Sequence, residues 1–118
     1  MEHQMHLYEQ AFNLVYFGLK TVELRIYDAK RKQISVGDLI TFINLTKPDE
    51  TIVVRVISNR SFIGFHELFL WVNPTLCGWP DGISHADAAN YMVNFYKQQD
   101  KLELLRKLGA VAIEFELV

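Results

Sequence analysis

The apolar positions along the chain recur with two different periods, and the change from one to the other divides it into elements. Between residues 7 and 17 they fall at 7, 8, 11, 12, 14, 15, 16 and 17, the wide stripe of a short helix, and Gly18 stands where a helix C-terminus takes a left-handed residue. From Lys20 the period becomes two. Val22, Leu24 and Ile26 alternate with Thr21, Glu23, Arg25 and Tyr27, which predicts a strand with one polar face. A charged loop, DAKRKQISVGD, follows. LITFINL and TIVVRVISNRSFI are then β-rich runs separated by TKPDE, whose Pro and Asp favour a turn, so the two read as an antiparallel pair.

After Gly64 the run FHELFLWV predicts a brief helix, and NPTLCGWPDGIS collects two Pro and two Gly in a loop of about a dozen residues. A loop of that length in a small domain is often functional, and here it suits a lid. Ser84 or His85 starts a short helix over ADAANYM, KQQDKLELLRKLG reads as a helix stopped by Gly109, and AVAIEFELV alternates as a terminal strand with one polar face. Five strands with three or four short helices, lacking regular βαβ alternation, predict an α+β fold built on a small mixed barrel.

Composition narrows the function classes. The 118 residues are 50% hydrophobic and 22% charged, ordinary values for one globular domain spanning 1–118. A formal net charge of −2 argues against a general nucleic-acid coat, which needs many phosphate-neutralising cations, but leaves room for a local basic site. The single cysteine excludes an intrachain disulfide, and MEHQMHLYEQ has neither the basic start nor the apolar run of a secretory signal, so the cytoplasm is the expected compartment. Charges interrupt every hydrophobic run, and no membrane association is expected.

Motif chemistry is mostly absent: there is no Gly-rich phosphate loop, no nucleophile elbow and no H-E-x-x-H. His3 and His6 are read as loose terminal histidines with no third ligand, so neither a metal nor a cofactor is expected. Cys77 is read as a small buried hydrophobe rather than a nucleophile. Trp71 and Trp79 flank the long loop as packing anchors or as base-stacking surfaces. The charges of Lys101, Glu103, Arg106 and Lys107 form a solvated helix face opposite Leu102, Leu105 and Leu108.

The remaining candidate is GLKTVELRIYD, Gly18 to Asp28. Thr21, Glu23 and Arg25 share one face of the strand, and the long stem of Lys20 can swing round the strand edge to join them. An exposed cross-strand ion pair is the plain alternative. The segment resembles the G-x-K-x-x-E-x-R signature of the ASCH (activating signal cointegrator homology) domain, and the resemblance continues through ISVGDLITF, CGW, the NFY ending at Tyr96 and LGAVAIEFELV.

That resemblance implies a small helix-decorated β-barrel similar to the PUA domains that bind RNA, with a cleft lined by the motif. It also implies an RNA, nucleotide or modified-nucleoside ligand; protein partners are not indicated. The expected ligand contacts are Lys20, Thr21, Glu23, Arg25, Tyr27 and Tyr96. The alternative is a small hydrolase, cleaving an amide of a modified nucleoside or a phosphodiester of RNA, with Lys20 and Glu23 catalytic. One bacterial branch of the family resembles an amidohydrolase built on a lysine, a threonine three residues later and a downstream glutamate. Here Lys20 matches the lysine, Glu23 occupies the threonine position, and the only glutamate between Phe65 and Ala89 is Glu67.

Overall fold

The computed structural model describes residues 1–118. Its strands are β1 (Glu2–Leu7), β2 (Val22–Ile26), β3 (Leu39–Asn44), β4 (Thr51–Phe62) and β5 (Ala110–Leu117), and its helices are α1 (Glu9–Tyr16), α2 (Ala29–Lys32), α3 (Phe65–Leu68), α4 (His85–Gln98) and α5 (Leu102–Leu108), with a 3₁₀ turn at Pro74–Cys77. The five strands form one sheet in the order β1-β3-β4-β5-β2; β1 pairs parallel with β3, and the other neighbours are antiparallel. The sheet curls into a half-barrel, which gives the α+β, PUA-like architecture that the sequence predicts.

Burial follows the alternation of β2 and β5. Val111, Ile113 and Phe115 of β5 join Phe42, Val54, Val56, Phe12 and Val15 in a core on one face of the sheet. Ala110 and Ala112, from the alternate positions, join Val22, Leu24 and Ile26 in a second core under α3, α4 and α5. Small residues on that side let the helices approach the strand. The first half of β5 is therefore buried on both faces, where the sequence pattern predicts one polar face; only Glu114, Glu116 and Leu117 are exposed.

Three further elements differ from the sequence reading. The terminus around His3 and His6 is the edge strand β1, in register with β3 from Glu2–Leu39 to Leu7–Asn44. The charged segment after Asp28 contains α2, because the Asp28 carboxylate accepts from the backbone N–H of Arg31 at 3.1 Å and caps it. The helix read over residues 97–109 is two helices: α4 runs from its Ser84 cap to Gln98, and Asp100, at φ 59°, breaks the path before α5. Gly109 does end α5. A Cβ there would stand 2.4 Å from the Phe62 carbonyl oxygen, and the residue sits at φ +82°, so only glycine turns the chain directly into β5.

Candidate functional site

Lys20 leaves the C-terminus of α1 with its backbone N–H bonded to the Leu14 carbonyl at 3.1 Å, and the Thr21 N–H donates to Leu76 at 2.8 Å. These two bonds hold the start of β2 against α1 and against the 3₁₀ turn of the long loop. The Lys20 ammonium then donates to the carbonyls of Val22 at 3.0 Å and Cys77 at 2.8 Å, and pairs with Glu23 Oε1 at 3.1 Å. An ammonium has three N–H groups, so all of its donors are used inside the protein. Gly78, at φ +107°, lets the loop lie on the Lys20 stem: a Cβ there would reach Leu14 Cδ1 at 3.3 Å and Lys20 Cδ at 3.6 Å.

The other carboxylate oxygen of Glu23 accepts from Arg25 Nε at 2.7 Å, and Arg25 Nη2 donates to the His6 carbonyl at 2.8 Å. β1 and β2 are the two edges of the sheet, so Arg25 spans the seam of the half-barrel. Lys20 and Glu23 are each 6% exposed. The strand face that carries Glu23 and Arg25 turns inward to the seam rather than out to solvent. Burial acts to raise the Glu23 pKa, but Lys20 and Arg25 outweigh it and hold the carboxyl below its ordinary value. Burial likewise opposes the Arg25 charge, and Glu23 more than restores it, leaving the guanidinium more basic than usual.

This cluster lies in a cleft of about 680 Å³, within the ~300–1,000 Å³ of small-ligand sites. Leu7 and Tyr8 at the end of β1, together with α1, form one wall; Cys77 to Pro80 of the long loop form another; α4 and the start of α5 close the third. The loop thus covers one side of the cleft, and Trp79 is anchored between Phe69 and Tyr91 in edge-to-face contacts at 5.7 and 5.6 Å. Trp71 is apart from it, 72% exposed, with the Arg60 guanidinium 5.5 Å from its ring.

Of the residues singled out from sequence, Lys20, Glu23, Arg25 and Tyr96 line the cleft, whereas Thr21 and Tyr27 do not. Thr21 engages through its main chain, its carbonyl accepting from Phe115 at 3.0 Å. The Tyr27 ring packs against the β-core and carries the Lys32 ammonium 5.4 Å above it. Burial raises the pKa of the Tyr96 hydroxyl against the opposing pull of Arg25. Cys77 is buried as expected, its thiol pushed up to about 12 by burial, so it is inert as a nucleophile.

The sequence reading missed other groups in the wall: Gln10, Asp28, Arg31, Gln99 and Lys101. Asp28 carried a signal, since Asp is a preferred N-cap residue; its carboxylate also pairs with the Arg31 guanidinium at 3.0 Å. Lys101, read as part of a solvated face, sits where α4 gives way to α5 and faces the cleft. Glu67 is absent from this wall and lines a separate hollow beside α3. No three His, Cys, Asp or Glu side chains are grouped to hold a metal ion, and no helix is long and apolar enough to cross a membrane.

The ASCH domain family model matches residues 5–118. The hypothetical protein PH0355, known from a crystal structure, is 30% identical with a TM-score of 0.79, over 100% of both chains. Protein PF0455 from Pyrococcus furiosus, solved in solution by NMR, is also 30% identical, with a TM-score of 0.69 over 100% of this chain and 98% of that one. The ASCH domain from Lactobacillus crispatus JV V101 is 12% identical, over 98% of this chain and 79% of that one, and its TM-score of 0.63 speaks to the fold alone. No curated protein matches the chain.

Proposed function

The chain belongs to the ASCH domain family, and we propose that it is a binding module for RNA or a nucleotide, with Arg25 as the motif side chain that reads the ligand. RNA binding is the role ascribed to the family. The observation that carries the reading is the distribution of free donors. Lys20 has none left, and Glu23 is held on both oxygens. A guanidinium has five N–H groups; Arg25 spends one on Glu23 and one on His6, which leaves three for a ligand in the cleft.

Glu23 and Lys20 are positioning groups in this reading. They fix Arg25 in one orientation, so that a bound phosphate oxygen or base carbonyl meets a preset fork. Tyr8 and Tyr91, both exposed and both lining the cleft, offer faces for base stacking. The hydrolytic alternative is disfavoured because Glu23, tied to two cations and more acidic than usual, is a poor general base at neutral pH. Asp28, the other carboxylate of the wall, is paired with Arg31.

The test is titration of short RNAs and nucleotides against wild type, Arg25→Gln and Arg25→Lys, with product analysis after long incubation. Arg25→Gln is expected to weaken binding by about tenfold or more, roughly 1.4 kcal/mol, with Arg25→Lys recovering only part because it loses the fork. Unchanged affinity in Arg25→Gln, or accumulation of a cleaved product, would overturn the proposal.

A further inference from the structure

The charge of the cleft is opposite to that of the molecule. The protein has a formal net charge of −2, yet four cationic side chains, Lys20, Arg25, Arg31 and Lys101, line the cleft against two carboxylates, Glu23 and Asp28. Two positive charges are therefore uncompensated in a walled hollow, where they are screened less than on an open surface.

The surplus has an address. Lys20 and Arg25 share Glu23, with Lys20 saturated by its carbonyl partners. Arg31 is paired only with Asp28 through Nη1, and its side chain is 14% exposed. The Arg31 Nε–H is buried and has no hydrogen-bond partner, which costs free energy unless a ligand or water supplies an acceptor. Arg25, Arg31 and Tyr96 line the same cleft, and both guanidinium groups act electrostatically on the Tyr96 hydroxyl. Lys101 adds an unpaired ammonium to the lining of the same cleft.

Resting on the nucleotide reading above, we infer that Arg31 and Lys101, together with the free edge of Arg25, form a phosphomonoester subsite, so that the ligand is a nucleotide or RNA end bearing a terminal phosphate rather than an uncharged nucleoside. The charge matches: a phosphomonoester carries about −1.5 to −2 at neutral pH, the size of the surplus, whereas an internal phosphodiester carries a single charge. The donor geometry matches as well, since planar guanidinium groups meet phosphate oxygens in pairs.

The experiment measures dissociation constants for the four common ribonucleosides, their 5′-monophosphates, ribose 5-phosphate, and one RNA hexamer with and without a 5′-phosphate. Wild type, Arg31→Gln and Lys101→Gln are compared. The monophosphates are expected to bind roughly tenfold more tightly than the nucleosides, and each variant to shrink that ratio several-fold while leaving nucleoside affinity in place. Lys101→Gln lies on the exposed rim and keeps the test alive should Arg31→Gln fold poorly.

A 5′-phosphate gain on the hexamer identifies an RNA end as a source of the phosphate; a gain confined to mononucleotides identifies the free nucleotide, and either supports the subsite. Equal affinity for nucleosides and monophosphates overturns the subsite and leaves the binding module standing. Ribose 5-phosphate binding as tightly as the monophosphates keeps the subsite and removes the base-reading role. Absence of binding to every probe overturns both.

Discussion

A buried lysine whose three donors are all spent behaves differently from one that waits for a ligand, and Lys20 is of the first kind. Replacing it with Met keeps the volume but leaves Glu23 with Arg25 alone and strips the Val22 and Cys77 carbonyls of their donor. Breaking a buried pair from one side costs about 3–5 kcal/mol. Lys20→Met is thus expected to lower the midpoint of chemical denaturation by that equivalent, with Arg25→Gln showing its effect on affinity instead. Full stability of Lys20→Met would show that the ammonium is not a structural clasp. At this scale the sequence was partly legible. Spacing placed Lys20, Glu23 and Arg25 together, because period two and a four-carbon stem suffice for that. It gave no division of labour among them, because the saturating acceptor on Cys77 is 57 residues away and arrives only with the folded loop.

Strand and helix boundaries were legible where the period was long and clean, as in β3, β4 and β5, and lost where another element did the stabilising. EHQMHL buries only Met5 and Leu7, too few alternations to mark a strand, and β1 exists because β3 supplies its hydrogen bonds. The α4–α5 boundary hides in a polar run that favours helix throughout; only the positive φ of Asp100 reveals the break. β1 is also tied to the start of β3 by a side chain. His3 Nε2 lies 2.8 Å from Asp38 Oδ2, and that carboxylate oxygen also accepts from the Ser35 N–H at 2.9 Å. The hydrogen bond to His3, then that to Ser35, depress the Asp38 pKa from 3.8 to about 2. A depressed carboxylate contributes stability that is fully present above its unfolded value and is lost as pH falls through the folded one. Acid unfolding followed by circular dichroism is therefore expected to show wild type losing more stability than Asp38→Asn between pH 3.8 and about 2. Parallel pH profiles for the two proteins would remove this tether from the account of β1.

At the scale of the whole molecule, the half-barrel with its helices was predictable from strand alternation and the family resemblance. The separation of its interior into two cores was not, because it depends on β5 presenting Ala110 and Ala112 to the helices and Val111, Ile113 and Phe115 to the barrel. The cleft lies where the two cores meet at the seam: α1 and β1 pack on one, α4 and the long loop on the other, and Arg25 bridges the edges. A ligand seated there touches both bodies, so its binding energy opposes their separation. Anything that binds only the folded state stabilises it by RT ln(1 + [L]/Kd), about 2.7 kcal/mol at a hundredfold excess over Kd. For the nucleotide that titrates best, the thermal midpoint is expected to rise in step with that relation in wild type and to respond far less in Arg25→Gln. Hydrogen exchange distinguishes bridging from one-sided contact, because local opening reports each element separately. Protection is expected to increase at β1 and α1 as well as at α4, with the exposed β3–β4 turn around Lys47 unchanged. Protection confined to α4 and the long loop would place the ligand on one body only and would take Arg25 out of the role of reader at the seam.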